Sequence, residues 1–171
     1  MNKNVLQIIR FLVLVLFQVL VINHIRLGGY VHPYIYLVFI MLLPFSTPKW
    51  QLLVLGFALG LTVDLFTGTP GLHAGATTLM AFSRPSIIKL VSGSQKFENI
   101  TEPNLGQLGG LWFFRYVLCM VFIHHFALFF LESFSIRLMG QVLLRILLSV
   151  PVSIFLIMMI LYIFKSEKKR E

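Results

Sequence analysis

Residues Gly56–Gly75 read GFALGLTVDLFTGTPGLHAG, and the first half of this segment places small or acidic residues at a four-residue spacing. Gly56, Gly60 and Asp64 lie on one helical face, because residues four positions apart stack above one another along a helix. Small residues at this spacing let a second helix approach closely. The spacing therefore predicts a tightly packed helix whose carboxylate faces protein rather than lipid.

A tight turn is predicted directly after this helix. Residues 68–71 are Gly-Thr-Pro-Gly, a combination typical of turns. Gly71 and Gly75 then repeat the four-residue spacing at the start of the next helix. We expect the two helices to form a close hairpin in which Asp64 is hydrogen-bonded, with direct contact of Asp64 to a partner or ligand as the alternative.

The composition of the whole chain is that of a polytopic membrane protein. Hydrophobic residues make up 58% of the 171 residues and charged residues 12%, against about a quarter charged in a soluble domain. A soluble fold of this length has too little interior for so much apolar surface. A membrane span needs about 20 residues, so six spans use most of the chain and leave no room for a separate soluble domain. We predict an all-α protein with a single six-span membrane domain. The predicted spans are residues 5–22, 27–45, 50–66, 72–91, 111–131 and 142–164.

The basic residues predict the orientation of these spans. Nine lie at one set of flanks and two at the other, and cytoplasmic flanks carry the excess of Lys and Arg. The nine are Lys3, Arg10, Lys49, Lys89, Lys96, Lys165, Lys168, Lys169 and Arg170, and the two are Arg26 and Arg137. Both termini are therefore predicted to be cytoplasmic, and the net charge of +8 is assigned to topology rather than to nucleic-acid binding. The basic tail is predicted to touch anionic lipid, with a specific cytoplasmic partner as the alternative.

Several polar residues fall inside the predicted spans, where an ionisable group is a functional candidate by default. His73, Thr77 and Arg84 share one face of the fourth span. Arg84 precedes Pro85, which predicts a break near the inner interface. We expect the Arg84 side chain to extend to the lipid phosphates at that interface.

The fifth span ends with adjacent histidines, His124 and His125, and the second of them shares a face with Glu132. Neighbouring side chains on a helix diverge, whereas metal-binding pairs need a spacing of three or four residues. No metal site and no cofactor is therefore predicted. Glu132 and Arg145 carry opposite charges across a short connection, which predicts an ion pair.

In the predicted topology five ionisable residues fall in the outer half of the membrane: Asp64, His73, His125, Glu132 and Arg145. This outer polar cluster has three interpretations, a structural clasp, a docking site for a partner's helix, or a ligand pocket. On the inner side, residues 92–110 form the longest polar segment. We expect this segment to be a solvated linker, with a cytoplasmic contact loop as the alternative.

Residues Gly60–Ala74 combine a Gly-Leu pair, an Asp three residues later, and a Gly/Pro turn that leads to Gly-Leu-His. This pattern resembles the signature of the MreD family of bacterial rod-shape-determining membrane proteins. Residues 81–85 (Ala-Phe-Ser-Arg-Pro) and 124–134 resemble the versions of Bacteroidetes-type bacteria. The family is similar in fold to the substrate-binding membrane subunits of energy-coupling-factor vitamin transporters, which implies a six-helix bundle.

The resemblance implies a non-enzymatic component of the cell-elongation machinery in the bacterial inner membrane. Such proteins work beside MreC, the actin-like MreB, and the elongation glycosyltransferase and transpeptidase, and help couple cytoplasmic filaments to peptidoglycan synthesis. The best candidates for helix packing or partner binding are Gly56, Gly60, Asp64, Gly71, His73 and Gly75, followed by Arg84, His125, Glu132 and Arg145.

Two other functions make different demands on the sequence. A substrate-binding subunit of a small-molecule transporter needs an outward cavity with an orienting charge, which Asp64, His125, Glu132 and Arg145 offer. An enzyme acting on lipid-linked substrates needs a dense acidic or basic cluster at an interface. The inner connection has no paired acidic motif, so we predict that the protein is not an enzyme.

Overall fold

The structure, a computed structural model, describes residues 3–25, 29–93 and 100–163, and of residues 3, 4 and 136 only the backbone. Within these ranges the regular secondary structure is entirely helical. The α-helices are α1 (Lys3–Leu20), α2 (Val38–Met41), α3 (Lys49–Thr67), α4 (Leu72–Ser92), α5 (Leu105–Leu108), α6 (Gly110–Ser133) and α7 (Met139–Ile163), and short 3-10 helices cover Ile22–His24 and Ile136–Leu138. The predictions for Arg26, Lys96 and the basic tail fall outside the described residues.

Four helical segments of the described chain are long and apolar enough to cross a membrane. They are Val5–His24, Lys49–Thr67, Gly110–Ser133 and Met139–Ile163. Helix α4 has a similar length of 21 residues but is less apolar, because it contains His73, Arg84 and Lys89. It continues through Pro85 without the predicted break, since a proline removes a single helical hydrogen bond and neighbouring helices can compensate for it.

The helices form one bundle in which α3 packs against α4, α4 against α6, and α6 against α7. We call the end of the bundle where α3 passes into α4 the Asp64 end, and the end where α3 begins the Lys49 end. Helix α1 lies beside α3 and α2. A segment between α1 and α3, residues 34–43, runs through the centre of this bundle and is almost completely buried.

This central segment corrects the prediction of a helical span over residues 27–45. Residues 27 and 28 lie outside the described part, and the remainder forms an extended stretch followed by the four-residue α2. Pro33 disfavours helical backbone at His32, the residue before it. Non-helical backbone is tolerated at membrane depth only where protein surrounds it, and here polar side chains of α1 and α7 supply the missing hydrogen bonds.

Three side chains supply those hydrogen bonds. The Gln18 amide accepts from the backbone N–H of Ile35 at 2.8 Å and donates to the carbonyl of Pro33 at 3.0 Å. On the other side of the segment, Ser149 accepts from the N–H of His32 at 3.0 Å and Ser153 from the N–H of Tyr34 at 3.1 Å. The extended conformation is therefore fixed by residues far away in the sequence.

The described part of the predicted solvated linker is packed structure, which corrects that prediction for residues 100–110. The carbonyl of Thr101 accepts from the N–H of Phe45 at 3.0 Å. Asn104 caps α5 by accepting from the N–H of Gly106 at 2.8 Å, and Leu105 and Leu108 are buried. The linker prediction failed because the apolar anchors of this segment are few and scattered among polar residues: Ile100, Pro103, Leu105 and Leu108.

Candidate functional site

Helices α3 and α4 touch backbone to backbone at two glycines. A Cβ added to Gly60 would lie 2.5 Å from Cα of Ala74, and one added to Gly56 would lie 2.8 Å from Cβ of Ala81. Contacts under 3.0 Å do not occur between real Cβ atoms and their neighbours. The predicted close hairpin is confirmed, and its glycine face is filled by α4 of the same chain.

Asp64 is buried at the C-terminal end of this glycine face, with 2% of its surface exposed. Its Oδ1 accepts from the Thr69 hydroxyl at 2.9 Å and from the N–H of His73 at 3.0 Å. Its Oδ2 accepts from the N–H groups of Gly71 at 3.1 Å and Ala74 at 2.9 Å. The carboxylate thus caps the first turn of α4, where unpaired N–H groups and the helix dipole favour a negative charge.

The four hydrogen bonds use the accepting capacity of Asp64. Each carboxylate oxygen has about two lone-pair sites, and each oxygen here has two donors. The prediction that Asp64 faces protein and is hydrogen-bonded is therefore confirmed. No acceptor site is left on it for a ligand, a metal ion or a partner's donor.

The other two glycines of the motif have different roles from the predicted α3–α4 contact. Gly71 has φ 86°, and a Cβ there would meet nothing within 4 Å. It is present because the residue before α4 adopts a left-handed conformation that glycine tolerates without strain. A Cβ added to Gly75 would lie 3.3 Å from Cδ1 of Leu131 in α6 and would not meet α3. The four-residue spacing continues into α4 in the sequence. In the structure, however, the turn directs Gly71 and Gly75 away from α3.

A buried polar network lies deeper in the bundle, around the hydroxyl of Tyr36. This oxygen is 2.7 Å from Nε2 of His124, 2.9 Å from Nδ1 of His73 and 3.4 Å from the hydroxyl of Thr77. All four side chains are at most 4% exposed. The network joins the central segment to α4 and α6.

The positions of the protons in this network can be inferred from Nδ1 of His124. Nδ1 of His124 has no hydrogen-bond partner in the described part of the chain, and a buried unpaired N–H is rarer than a buried unpaired acceptor. We therefore assign the His124 proton to Nε2, which donates to Tyr36. With this assignment, Tyr36 donates to Nδ1 of His73.

His125 belongs to a second network, directed towards α7. Its Nδ1 lies 2.9 Å from the carbonyl of Val121, so this nitrogen carries the proton and donates. Its Nε2 then accepts from the Ser153 hydroxyl at 3.0 Å. The adjacent histidines are thus both buried but serve different hydrogen-bond networks, and the ring of Tyr34 packs against both, 5.6 Å from His124 and 5.2 Å from His125.

Arg84 contradicts the prediction that its side chain extends to the lipid phosphates. The residue is only 1% exposed. Its guanidinium donates to the hydroxyl of Tyr116 at 3.1 Å, to the carbonyl of Met41 at 3.5 Å, and to the carbonyl of Leu43. It therefore binds carbonyl groups at the C-terminal end of the short helix α2 and just after it, where carbonyl groups lack helical partners. These acceptors are within reach of Arg84 because the central segment ends beside it.

The predicted ion pair between Glu132 and Arg145 is confirmed, with 2.9 Å between Oε2 and Nη2. The Arg145 guanidinium also lies 4.2 Å above the ring of Phe129, a favourable cation–π geometry. Nε of Arg145 is buried and has no hydrogen-bond partner among the described residues. The pair is partly exposed, at 44% for Glu132 and 20% for Arg145.

A cavity of about 390 Å³ lies at the Asp64 end beside this ion pair. Its lining includes His32, Tyr34, Thr69, His73, Glu132 and Arg145. Three of the five predicted outer residues thus share one cavity. Asp64 and His125 do not line it, because each is enclosed by its own hydrogen-bond partners. No three His, Cys, Asp or Glu side chains within the described ranges are placed to hold a metal ion.

Sequence reasoning missed the residues that organise these networks. Tyr34 and Tyr36 were hidden in a segment predicted to be an ordinary span, and Gln18 was read as part of an apolar helix. The one available signal was that Gln18 is an isolated amide in the apolar run of α1. A buried amide in a membrane needs partners, and an irregular neighbouring backbone provides them.

Comparison of the chain with protein-family models, with curated proteins and with solved structures finds no match. The resemblance to the MreD family is therefore carried only by the residues quoted for it. Its central segment, Gly60–Ala74, is the segment that forms the α3–α4 turn and encloses Asp64.

Proposed function

We propose that this protein is a non-enzymatic scaffold of the bacterial cell-elongation complex, in the manner of the MreD family. The observation that carries the proposal is the saturation of Asp64 by four donors. The most strongly patterned charged residue of the chain stabilises a helical hairpin and has no capacity left for chemistry. We infer that this motif fixes the shape of a membrane-embedded surface of the protein, and that other proteins bind to this surface.

The proposal includes a topology. The four long apolar helices, together with α4 and the central segment, give six crossings of the inner membrane with both termini in the cytoplasm. The Lys49 end is then cytoplasmic and the Asp64 end faces outwards. This arrangement puts one end of the bundle near MreB-type filaments and the other near peptidoglycan synthesis.

Partners would bind surfaces other than the glycine face, which α4 occupies. Helix α3 has an opposite face with exposed side chains that include Trp50, Val54, Phe57, Leu61 and Leu65. We propose that faces of this kind contact the membrane segments of an MreC-type partner and of the elongation glycosyltransferase and transpeptidase, with lipid covering the rest. The hairpin keeps such a face in a fixed orientation.

Depletion of the protein in its rod-shaped host tests this function. We expect the cells to widen and become round while nutrient uptake continues, because wall synthesis loses its spatial control. Unchanged cell shape, with a growth defect that a single nutrient rescues, would refute the scaffold proposal.

The second candidate is the substrate-binding membrane subunit of a small-molecule transporter. The cavity of about 390 Å³ at the Asp64 end favours it, since ligand sites have about 300–1,000 Å³ and this cavity contains Arg145 with an unpaired buried Nε. Direct binding of a vitamin-type compound to purified protein, abolished by Arg145→Gln and not by Lys89→Gln, would favour this candidate over the scaffold.

A further inference from the structure

A second, larger cleft lies at the Lys49 end, between α1, the central segment, the residues before α5, and the end of α7. Its volume is about 640 Å³, within the range of about 300–1,000 Å³ that is usual for ligand sites. Most of its wall is aliphatic. The aliphatic part is formed mainly by Ile9, Val13, Leu14, Leu42, Ile160 and Leu161.

The polar part of this cleft contains a loosely paired cation and anion. Nη1 of Arg10 and Oε2 of Glu102 are 4.0 Å apart, and their side chains are 23% and 31% exposed. The other contacts of Arg10 are long, 3.4 Å to Gln7 and 3.5 Å to the carbonyl of Leu42. Since a guanidinium has five N–H donors and a carboxylate about four accepting sites, both groups retain capacity for a ligand.

Both charges stand on fixed backbone. Arg10 is in the middle of helix α1. Glu102 follows Thr101, whose carbonyl accepts from the N–H of Phe45 at 3.0 Å, and precedes the turn that Asn104 caps. The separation of the two charges is therefore set by the fold before any ligand arrives.

The aliphatic wall indicates that the occupant has a hydrocarbon chain, but it does not select among lipids. Acyl chains are as apolar as leucine, so the exchange of one chain for another along this wall changes little. Selection must come from the charged pair. Arg10 suits a phosphate, which a guanidinium binds through two parallel hydrogen bonds. Glu102 suits a cation that donates N–H groups.

We propose that this cleft binds phosphatidylethanolamine, with an acyl chain along the aliphatic wall, the phosphate at Arg10 and the primary ammonium at Glu102. This headgroup carries both charges that the pair complements. Phosphatidylglycerol lacks the ammonium group, and the quaternary ammonium of phosphatidylcholine has no N–H to donate. The inference concerns lipid recognition and does not depend on the scaffold function.

Native mass spectrometry of the full chain in detergent tests the proposal. The protein is equilibrated with equal amounts of phosphatidylethanolamine, phosphatidylglycerol and phosphatidylcholine, and the retained lipids are counted. We expect wild-type protein to retain phosphatidylethanolamine in preference to both others. Glu102→Gln should lower its ratio to phosphatidylglycerol by about two- to fivefold, the range for a partly exposed ion pair, and Arg10→Gln should reduce retention of all three lipids.

Glu132→Gln is the matched control, because it removes a carboxylate from the Arg145 pair at the opposite end of the bundle. It should leave the lipid ratios unchanged. Equal retention of the three lipids by wild-type protein would overturn the proposal. So would an unchanged ratio in Glu102→Gln, an equal loss in the control, or a second copy of the chain retained in place of lipid.

Discussion

Asp64, which lies against the start of α4, and Arg84, which lies within α4, are both buried ions. The backbone stabilises them in opposite ways. The Asp64 carboxylate accepts from N–H groups where α4 begins. The Arg84 guanidinium donates to carbonyl groups where α2 ends. Neither has a counter-ion within the part of the chain that the structure describes. Backbone dipoles at helix ends therefore replace ion pairs at both sites.

The two sites differ in how far away their partners are in the sequence. The groups that bind Asp64 lie 5 to 10 residues away, within the segment that was read as one motif. Those that bind Arg84 lie 32 to 43 residues away. A local pattern could therefore predict the environment of the carboxylate, whereas that of the guanidinium required the path of the central segment.

The largest effect is expected from Asp64→Leu. It leaves three backbone N–H groups without their acceptor, at about 1–3 kcal/mol for each buried group, whereas the Thr69 hydroxyl keeps its contact with the Thr67 hydroxyl. We expect a loss of at least about 4 kcal/mol in the free energy of unfolding, measured by SDS titration in detergent, together with reduced recovery of partner proteins from the host membrane.

Asp64→Asn provides the graded control for that experiment. The amide keeps one accepting oxygen, but its NH₂ group faces donors, so about half of the loss should remain. Wild-type accumulation, stability and complex recovery for Asp64→Leu would contradict the structural role of the carboxylate.

Arg84→Met should have the next largest effect, about 3 kcal/mol in the free energy of unfolding, because removal of a buried charged donor leaves its acceptors unpaired. Lys89→Met, at an exposed position of the same helix, is the matched control and should be close to neutral. If both variants lose the same small amount, Arg84 behaves as a lipid-facing residue and its burial is contradicted.

The same dependence on distance explains which parts of the fold could be predicted. Helix α3 was predicted over residues 50–66 and spans Lys49–Thr67, because a continuous apolar run bounded by turn residues defines a helix locally. The central segment could not be predicted, since its shape depends on Gln18, Ser149 and Ser153 meeting it in space. The Tyr36 network was missed with it.

Gly60→Ala tests whether the close contact of α3 and α4 is needed for the Asp64 site. The new Cβ would meet backbone atoms of α4, which cannot rotate away as a side chain can. We expect a loss of about 2–3 kcal/mol in the same SDS titration, as for overpacking of a rigid core. Gly140→Ala, where a Cβ meets nothing within 4 Å, should be neutral or slightly stabilising, since alanine favours helix.

The smallest effect is expected from Glu132→Gln, and it sharpens the contrast with the two backbone-stabilised ions. Glu132 and Arg145 form a direct ion pair, but both are partly exposed, and exposed pairs contribute about 0–1 kcal/mol because water screens them. The cation–π contact of Arg145 with Phe129 also remains. The variant should therefore unfold within about 1 kcal/mol of wild type. A loss as large as that of Asp64→Leu would mean that the pair is shielded from water, and the cavity beside it would then be part of the closed core rather than an open site.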